Sequence, residues 1–166
     1  MKRKILSMLL CFVLVLGLLP TTVFAADIPV TIPFSESGTP SATSGEGWTY
    51  DPGTATLTIN QGYMLSGDGV QTVDCFVSNY GTLKMPNWTY LQTVTNYGTI
   101  QSGSFDYQLI NAKDGTITGE VTLGEEATLL NSGTIASRIL RQLDADYPGK
   151  VKTVKETEEG EFVFSF

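Results

Sequence analysis

Apolar and polar residues alternate along this chain in short bursts that return at a nearly fixed interval. Val77, Val94, Leu109 and Leu129 each stand two residues before an asparagine, and Leu83, Ile100, Ile117 and Ile135 each follow a Gly-Thr pair. Between these positions lies the phrase Asn79-Tyr-Gly-Thr-Leu83, which returns as Asn96-Tyr-Gly-Thr-Ile100, Asn111-Ala-Lys-Asp-Gly-Thr-Ile117 and Asn131-Ser-Gly-Thr-Ile135. The Gly-Thr pairs step by 17, 17 and 18 residues, a period that marks stacked structural units. With Asn60-Gln-Gly62 taken as a weaker copy, five asparagines are separated by 19, 17, 15 and 20 residues. The mean of about 18 lies in the range of β-solenoid repeats. The predicted fold class is all-β, a single-stranded parallel β-helix (β-solenoid) of about five coils.

Stacking gives each position of the phrase a physical task. The residues before the asparagine and after Gly-Thr would form two continuous apolar ladders, each side chain contributing about 1.5 to 3 kcal/mol when buried. The glycine is expected to supply positive φ at a tight corner. The asparagine is expected to hydrogen-bond its counterparts above and below, since a buried amide left unpaired costs about 1 to 3 kcal/mol. The longer turn at Ala112-Lys-Asp114 should leave the strands in register, because insertions in solenoids map to turns.

The flanks read differently. Lys2, Arg3 and Lys4, an apolar run from Ile5 to Leu19, Pro20 and the close Val23-Phe24-Ala25 have the layout of a secretory signal peptide cut after Ala25. The run is about 15 residues, shorter than a spanning helix needs. Residues 26–47 are expected to hold one strand and a flexible linker: Pro29 and Pro33 exclude a central strand, and Ser35 to Gly47 is rich in Ser, Gly and Thr. The folded part is expected to begin at Trp48, with a hairpin turning at Pro52-Gly53 before the alternating Thr56-Leu-Thr-Ile59. That hairpin would cover the first open edge of a solenoid spanning 48–135. Residues 136–166 are expected to form a cap, a short helix carrying Ile139, Leu140 and Leu143 on one face and then two strands around Glu159-Gly160. The sequence to Phe166 has no wall-anchoring motif, so the expectation is a released protein or the front part of a longer one.

Charge and composition narrow the function by exclusion. Without the three signal-peptide cations, seven Lys and Arg face seventeen Asp and Glu, a net charge of about −10. Nucleic acid and anionic membrane are poor partners for such a surface. The chain has no histidine, and after removal of Cys11 with the signal its one thiol is Cys75, set among alternating apolar residues as a buried side chain would be. Triad chemistry and imidazole metal sites are excluded, and no cofactor is expected. Asp51, Asp68, Asp74, Asp106, Asp114 and Glu120 are scattered, and their spacing brings none together. Ser66-Gly-Asp-Gly69 lacks the repeated acidic pattern of a calcium loop. Asn87-Trp-Thr89 matches the N-glycosylation acceptor pattern, which chance explains here.

The aromatic residues carry the candidate site. Tyr80 and Tyr97 fill the same slot in successive corners, and Trp88 and Phe105, like Tyr90 and Tyr107, are also 17 apart. Stacked units would bring each pair to about 5 Å, one strand spacing. A row of exposed rings suits the apolar faces of sugars, so Tyr80, Tyr97, Tyr90, Tyr107 and Trp88 are the candidate ligand-binding residues. The row ends where Ala112 and Ser132 take the corner slot.

Gly47-Trp-Thr-Tyr-Asp51 with Leu57-Thr-Ile59, followed by the Asn-x-Gly-Thr-Ile units, resembles the β-helical repeat regions of secreted surface proteins of Gram-positive gut bacteria. The likeness covers residues 48–135. It implies a parallel β-helix in an extracellular, adhesive or glycan-associated protein, whose partner is an extracellular glycan or a host or cell-wall surface. Three functional classes stay open at this point: a non-catalytic binding module, a small carbohydrate-active enzyme of pectate-lyase type using paired acidic residues, and a structural spacer. Ice binding would want regular Thr-x-Thr rows, and Thr93-Val-Thr95 and Thr116-Ile-Thr118 fall at different repeat positions.

Overall fold

The computed structural model describes residues 27–156 and 162–164. Strands form where apolar and polar residues alternate, and they break at the Asn-x-Gly corners. The first sheet has the order β1 (Ile28–Val30), β5 (Tyr63–Ser66), β8 (Thr82–Tyr90), β10 (Thr99–Phe105), β12 (Thr116–Leu123) and β14 (Thr134–Ile135), with β6 (Gln71–Val73) also paired to β8. The second runs β2 (Ser44–Gly45), β3 (Trp48–Asp51), β4 (Thr56–Ile59), β7 (Phe76–Asn79), β9 (Val94–Asn96), β11 (Gln108–Asn111), β13 (Thr128–Asn131), β15 (Val151–Glu156) and β16 (Phe162–Phe164). The class is all-β with extensive parallel pairing. From β4 to β15 the chain passes back and forth between the sheets, and each later pass lies parallel to the previous one on its side.

The register turns the sequence pattern into a core. Leu57, Val77, Val94, Leu109, Leu129 and Val151 occupy one row of the second sheet. Val30, Leu65, Leu83, Ile100, Ile117 and Ile135 occupy one row of the first. A third row, Val73, Tyr90, Phe105 and Leu123, runs along the far half of the long strands. Nearly all of these side chains are buried and meet in one cluster. The longer turn after Asn111 does not disturb them: Asn111 stays level with Asn96, and Thr116 with Thr99.

A ladder of amides closes the corner. Asn79 donates Nδ2 to Oδ1 of Asn96 at 2.7 Å, Asn96 to Asn111 at 2.8 Å, and Asn111 to Asn131 at 2.8 Å. The same Nδ2 atoms reach carbonyls of the turns, as from Asn79 to Gly81 and Asn96 to Gly98, both at 3.2 Å. Asn60 is not part of it. It is exposed, and the residue level with Asn79 is Ile59. The corner glycines also differ from expectation, since Gly81, Gly98, Gly115 and Gly133 are not at positive φ. They are glycines because the chain passes so close to the preceding repeat that a Cβ would overlap its carbonyl oxygens, those of Tyr63, Gly81, Asn96 and Ala112 respectively. Backbone contact, rather than turn geometry, fixes this residue type.

Both ends are covered. β2 and β3 pair antiparallel before β4, and Trp48 is buried. The stretch expected as a flexible linker is folded instead. β1 extends the first sheet, Val30 and Ile32 join the core, and Ser35 Oγ donates to the Thr39 carbonyl at 3.0 Å. Gly38, at φ +84°, presses against the backbone of Thr72, and its carbonyl accepts the Asp74 N–H at 2.9 Å. Ordering here comes from backbone hydrogen bonds and two buried aliphatics, which a composition rich in Ser and Gly conceals. The prolines do keep β1 at the edge. At the other end α1 (Ser137–Asp146) buries Ile139 and Leu143, while Leu140 is half-buried. β15 lies parallel to β13 and antiparallel to β16. The expected signal peptide and the Glu159-Gly160 turn lie outside the described residues. No helix among the described residues is long and apolar enough to cross a membrane.

Candidate ligand-binding corner

Tyr80 and Tyr97 leave the second sheet directly after the first two ladder asparagines. The Tyr80 N–H donates to the Ile59 carbonyl at 2.9 Å and the Tyr97 N–H to the Asn79 carbonyl at 2.8 Å. Each ring is thus placed by the backbone one strand spacing from the next. The rings stack with centroids 4.8 Å apart and planes 6° from parallel. Tyr80 is 47 % exposed and Tyr97 half-buried. The expected pairing is therefore present, with one qualification of chemistry. Stacked rings cover one face of each other, so the pair offers ring edges rather than two open faces to a ligand.

A groove of about 260 Å³ lies beside the pair, lined by Asp27, Gln61, Tyr80, Thr82, Tyr97, Thr99, Asp114 and Thr116 together with the corner glycines. Thr82, Thr99, Thr116 and Thr134 share one register row, so their hydroxyls repeat at the same spacing as the rings. Thr82 Oγ1 donates to Oδ2 of Asp27. The groove holds two carboxylates and no Lys or Arg among its lining residues.

The remaining aromatic candidates are not part of this corner. Tyr90 is completely buried, and it stacks on Phe105 at 5.1 Å and 10° rather than on Tyr107. Irregularities in β10 near Ser102 remove two residues between the paired positions, which shifts the pairing from 17 apart to 15. Tyr90 cannot meet a ligand, and its hydroxyl has no partner among the described residues. Trp88 is level with Gln71, half-buried, and packed edge-on against Phe34 at 5.4 Å and 84°, not against Phe105. Tyr107 is 57 % exposed but precedes β11, at the opposite end of the strand row from the asparagine corner.

Cys75 is buried as expected, and burial pushes its thiol up to about 12, with the neighbouring Asp74 adding to the effect. It is inert at neutral pH. The acidic residues do different jobs. Asp51 holds its own turn through the Gly53 N–H and the Thr54 hydroxyl, which keep its carboxyl below the usual range, and Asp74 accepts from Gln92. Asp68 and Glu120 line a larger groove of about 650 Å³ with Lys84, Gln101 and Ser102. Among the described residues no three acidic or cysteine side chains come together as a metal site.

Sequence reasoning missed Asp27, Thr82, Thr99 and Asp114 as groove residues. The threonines were visible in every Gly-Thr pair, but as a period rather than as a hydroxyl row. Asp27 reaches the groove only because β1 joins the first sheet. No protein-family model, curated protein or solved structure matches this chain.

Proposed function

We propose that this chain is a secreted, non-catalytic parallel β-helix that acts as a surface-binding module in adhesion, with extracellular glycan as its ligand and the Tyr80–Tyr97 corner as its site. The alternation of passes between two parallel sheets, with asparagines and aliphatics kept level, supports the β-helix reading. The layout of residues 1–25 supports secretion.

One observation carries the binding reading: a stacked, partly exposed tyrosine pair stands beside a groove edged by threonine hydroxyls and two carboxylates. Sugars present apolar C–H faces and arrays of hydroxyls. Amphipathic tyrosines match both, and a carboxylate accepts strong hydrogen bonds from neighbouring hydroxyls. A glycan array probed with the chain from Ala26 onward, beside a Tyr80→Ala/Tyr97→Ala variant of unchanged circular dichroism, tests it. Binding by the parent that the variant loses supports the site. Absence of binding by either protein removes the reading in favour of a structural spacer.

A further inference from the structure

We infer that the ligand is a linear, uncharged β-linked glycan lying along the stacking direction, rather than a terminal sugar held end-on; the inference rests on the corner being a glycan site. The groove does not end at one ring. It runs from Asp27 and Gln61 past Tyr80 and Thr82, then Tyr97 and Thr99, to Asp114 and Thr116, so successive repeats contribute equivalent groups. Those groups recur at one strand spacing: the ring centroids are 4.8 Å apart, and Thr82, Thr99 and Thr116 are level neighbours on adjacent parallel strands. An extended chain of β-1,4-linked hexoses advances by about this distance per sugar. Alternate sugars of such a chain are turned over, so neighbouring units present opposite edges to the row that Thr99 and Thr116 share, and each edge carries hydroxyls that can pair with it. An extended polypeptide, at about 3.3 Å per residue, falls out of step.

Two further features set the ligand class. Because Tyr80 and Tyr97 cover each other's inner faces, a single sugar stacked flat uses one ring alone, whereas a chain crossing the ring edges uses both residues. The lining contains Asp27 and Asp114 and no cationic side chain, so a uronic-acid polymer is repelled. The corner slot changes to Ala112 and then Ser132, which limits the tyrosine part of the track to two repeats.

The test is isothermal titration of the chain from Ala26 onward with β-1,4-linked glucose, mannose and N-acetylglucosamine oligomers of one, two, four and six units, and with galacturonate tetramer as the charged probe. Affinity should rise at least tenfold from two to four units in at least one neutral series and little from four to six. The galacturonate tetramer should bind at least tenfold more weakly than that neutral tetramer. Thr99→Val should weaken the tetramer several-fold and the dimer less, with an unchanged melting temperature showing that the fold survives. Length-independent binding, preference for galacturonate, or array binding confined to branched terminal sugars overturns the linear-glycan inference and leaves the site standing. Failure of every glycan, on the array and in titration, overturns both.

Discussion

Ile59 lies level with Asn79 on the neighbouring parallel strand, where the next three rungs of that row carry Asn96, Asn111 and Asn131 and the one after them Thr153. The amide ladder therefore begins with an unanswered acceptor: Asn79 Oδ1 is buried without a partner among the described residues, while its Nδ2 donates onward to Asn96. Direction follows from this arrangement. Asn96 and Asn111 each accept from the asparagine before and donate to the one after, while Asn79 only donates along the ladder and Asn131 ends it by accepting, so three successive contacts run in one polarity.

Interior rungs should then matter more than the last one. Asn96→Ala removes both a donor to Asn111 and an acceptor for Asn79, and is expected to cost about 2 to 4 kcal/mol in urea unfolding. Asn131→Ala, at the half-buried end of the ladder, is expected to cost about 1 kcal/mol. Ile59→Asn places an amide beside the orphan oxygen and should be tolerated better than Leu57→Asn by at least about 1 kcal/mol. Equal losses at interior and terminal rungs would contradict a cooperative ladder.

The corner glycines give a second expectation, because close approach and positive φ penalise alanine differently. At Gly98 a Cβ overlaps backbone of the previous repeat, whereas at Gly62, with φ +81°, it meets nothing within 4 Å. Gly98→Ala should cost at least about 3 kcal/mol, since backbone cannot give way as a side chain can. Gly62→Ala should cost about 1 kcal/mol, the price of left-handed backbone alone. Thermal melts of the two variants separate these causes, and similar losses would refute the distinction.

Two buried acids should make the fold sensitive to alkali. The Cys75 thiol is raised from 9.0 to about 12 in the native protein, mainly by burial and then by Asp74. Burial likewise raises the Tyr90 phenol, with Cys75 adding to it. Above pH 9 the unfolded chain releases the thiol proton while the native chain keeps it, so stability is full below 9 and falls as pH rises toward 12. The slope is up to about 1.4 kcal/mol per pH unit for each such group. Urea midpoints between pH 7 and 10.5 should decline, and Cys75→Ala should flatten the decline although it lowers stability at pH 7. An unchanged slope in that variant would remove Cys75 from the account.

The parts of this structure that could be read in the sequence are those whose spacing is locked by stacking. Val77, Val94, Leu109 and Leu129 stay two residues before the ladder asparagines, and the residues after Gly-Thr stay level, so a period alone finds both rows. The far half of the long strands follows no fixed count. Between Thr82 and Tyr90 the chain spends more residues than between Thr99 and Phe105, and the irregularity at Ser102 absorbs the difference. That is why Tyr90 meets Phe105 and why the expected pairings of Trp88 and Tyr107 fail. The N-terminal stretch was hidden for another reason. Its order comes from long-range pairing of Ile28–Val30 with Tyr63–Leu65 and from Gly38 against Thr72, and neither leaves a local mark. Of the candidate site, the tyrosine pair could be read from the repeat, whereas Asp27 became part of it only through that same long-range pairing.

The central claim, that the Tyr80–Tyr97 corner binds glycan, is tested most directly by titrating the strongest array ligand into four proteins: the parent chain, Tyr80→Ala, Tyr97→Ala and Phe76→Ala. Phe76, 44 % exposed at the start of β7, is an aromatic residue at the other end of the strand from Asn79 and serves as the control. The account predicts at least a tenfold loss of affinity for each tyrosine variant, no change for Phe76→Ala, and unchanged melting of all four within a few degrees. Full affinity in both tyrosine variants, or a loss confined to Phe76→Ala, would contradict it.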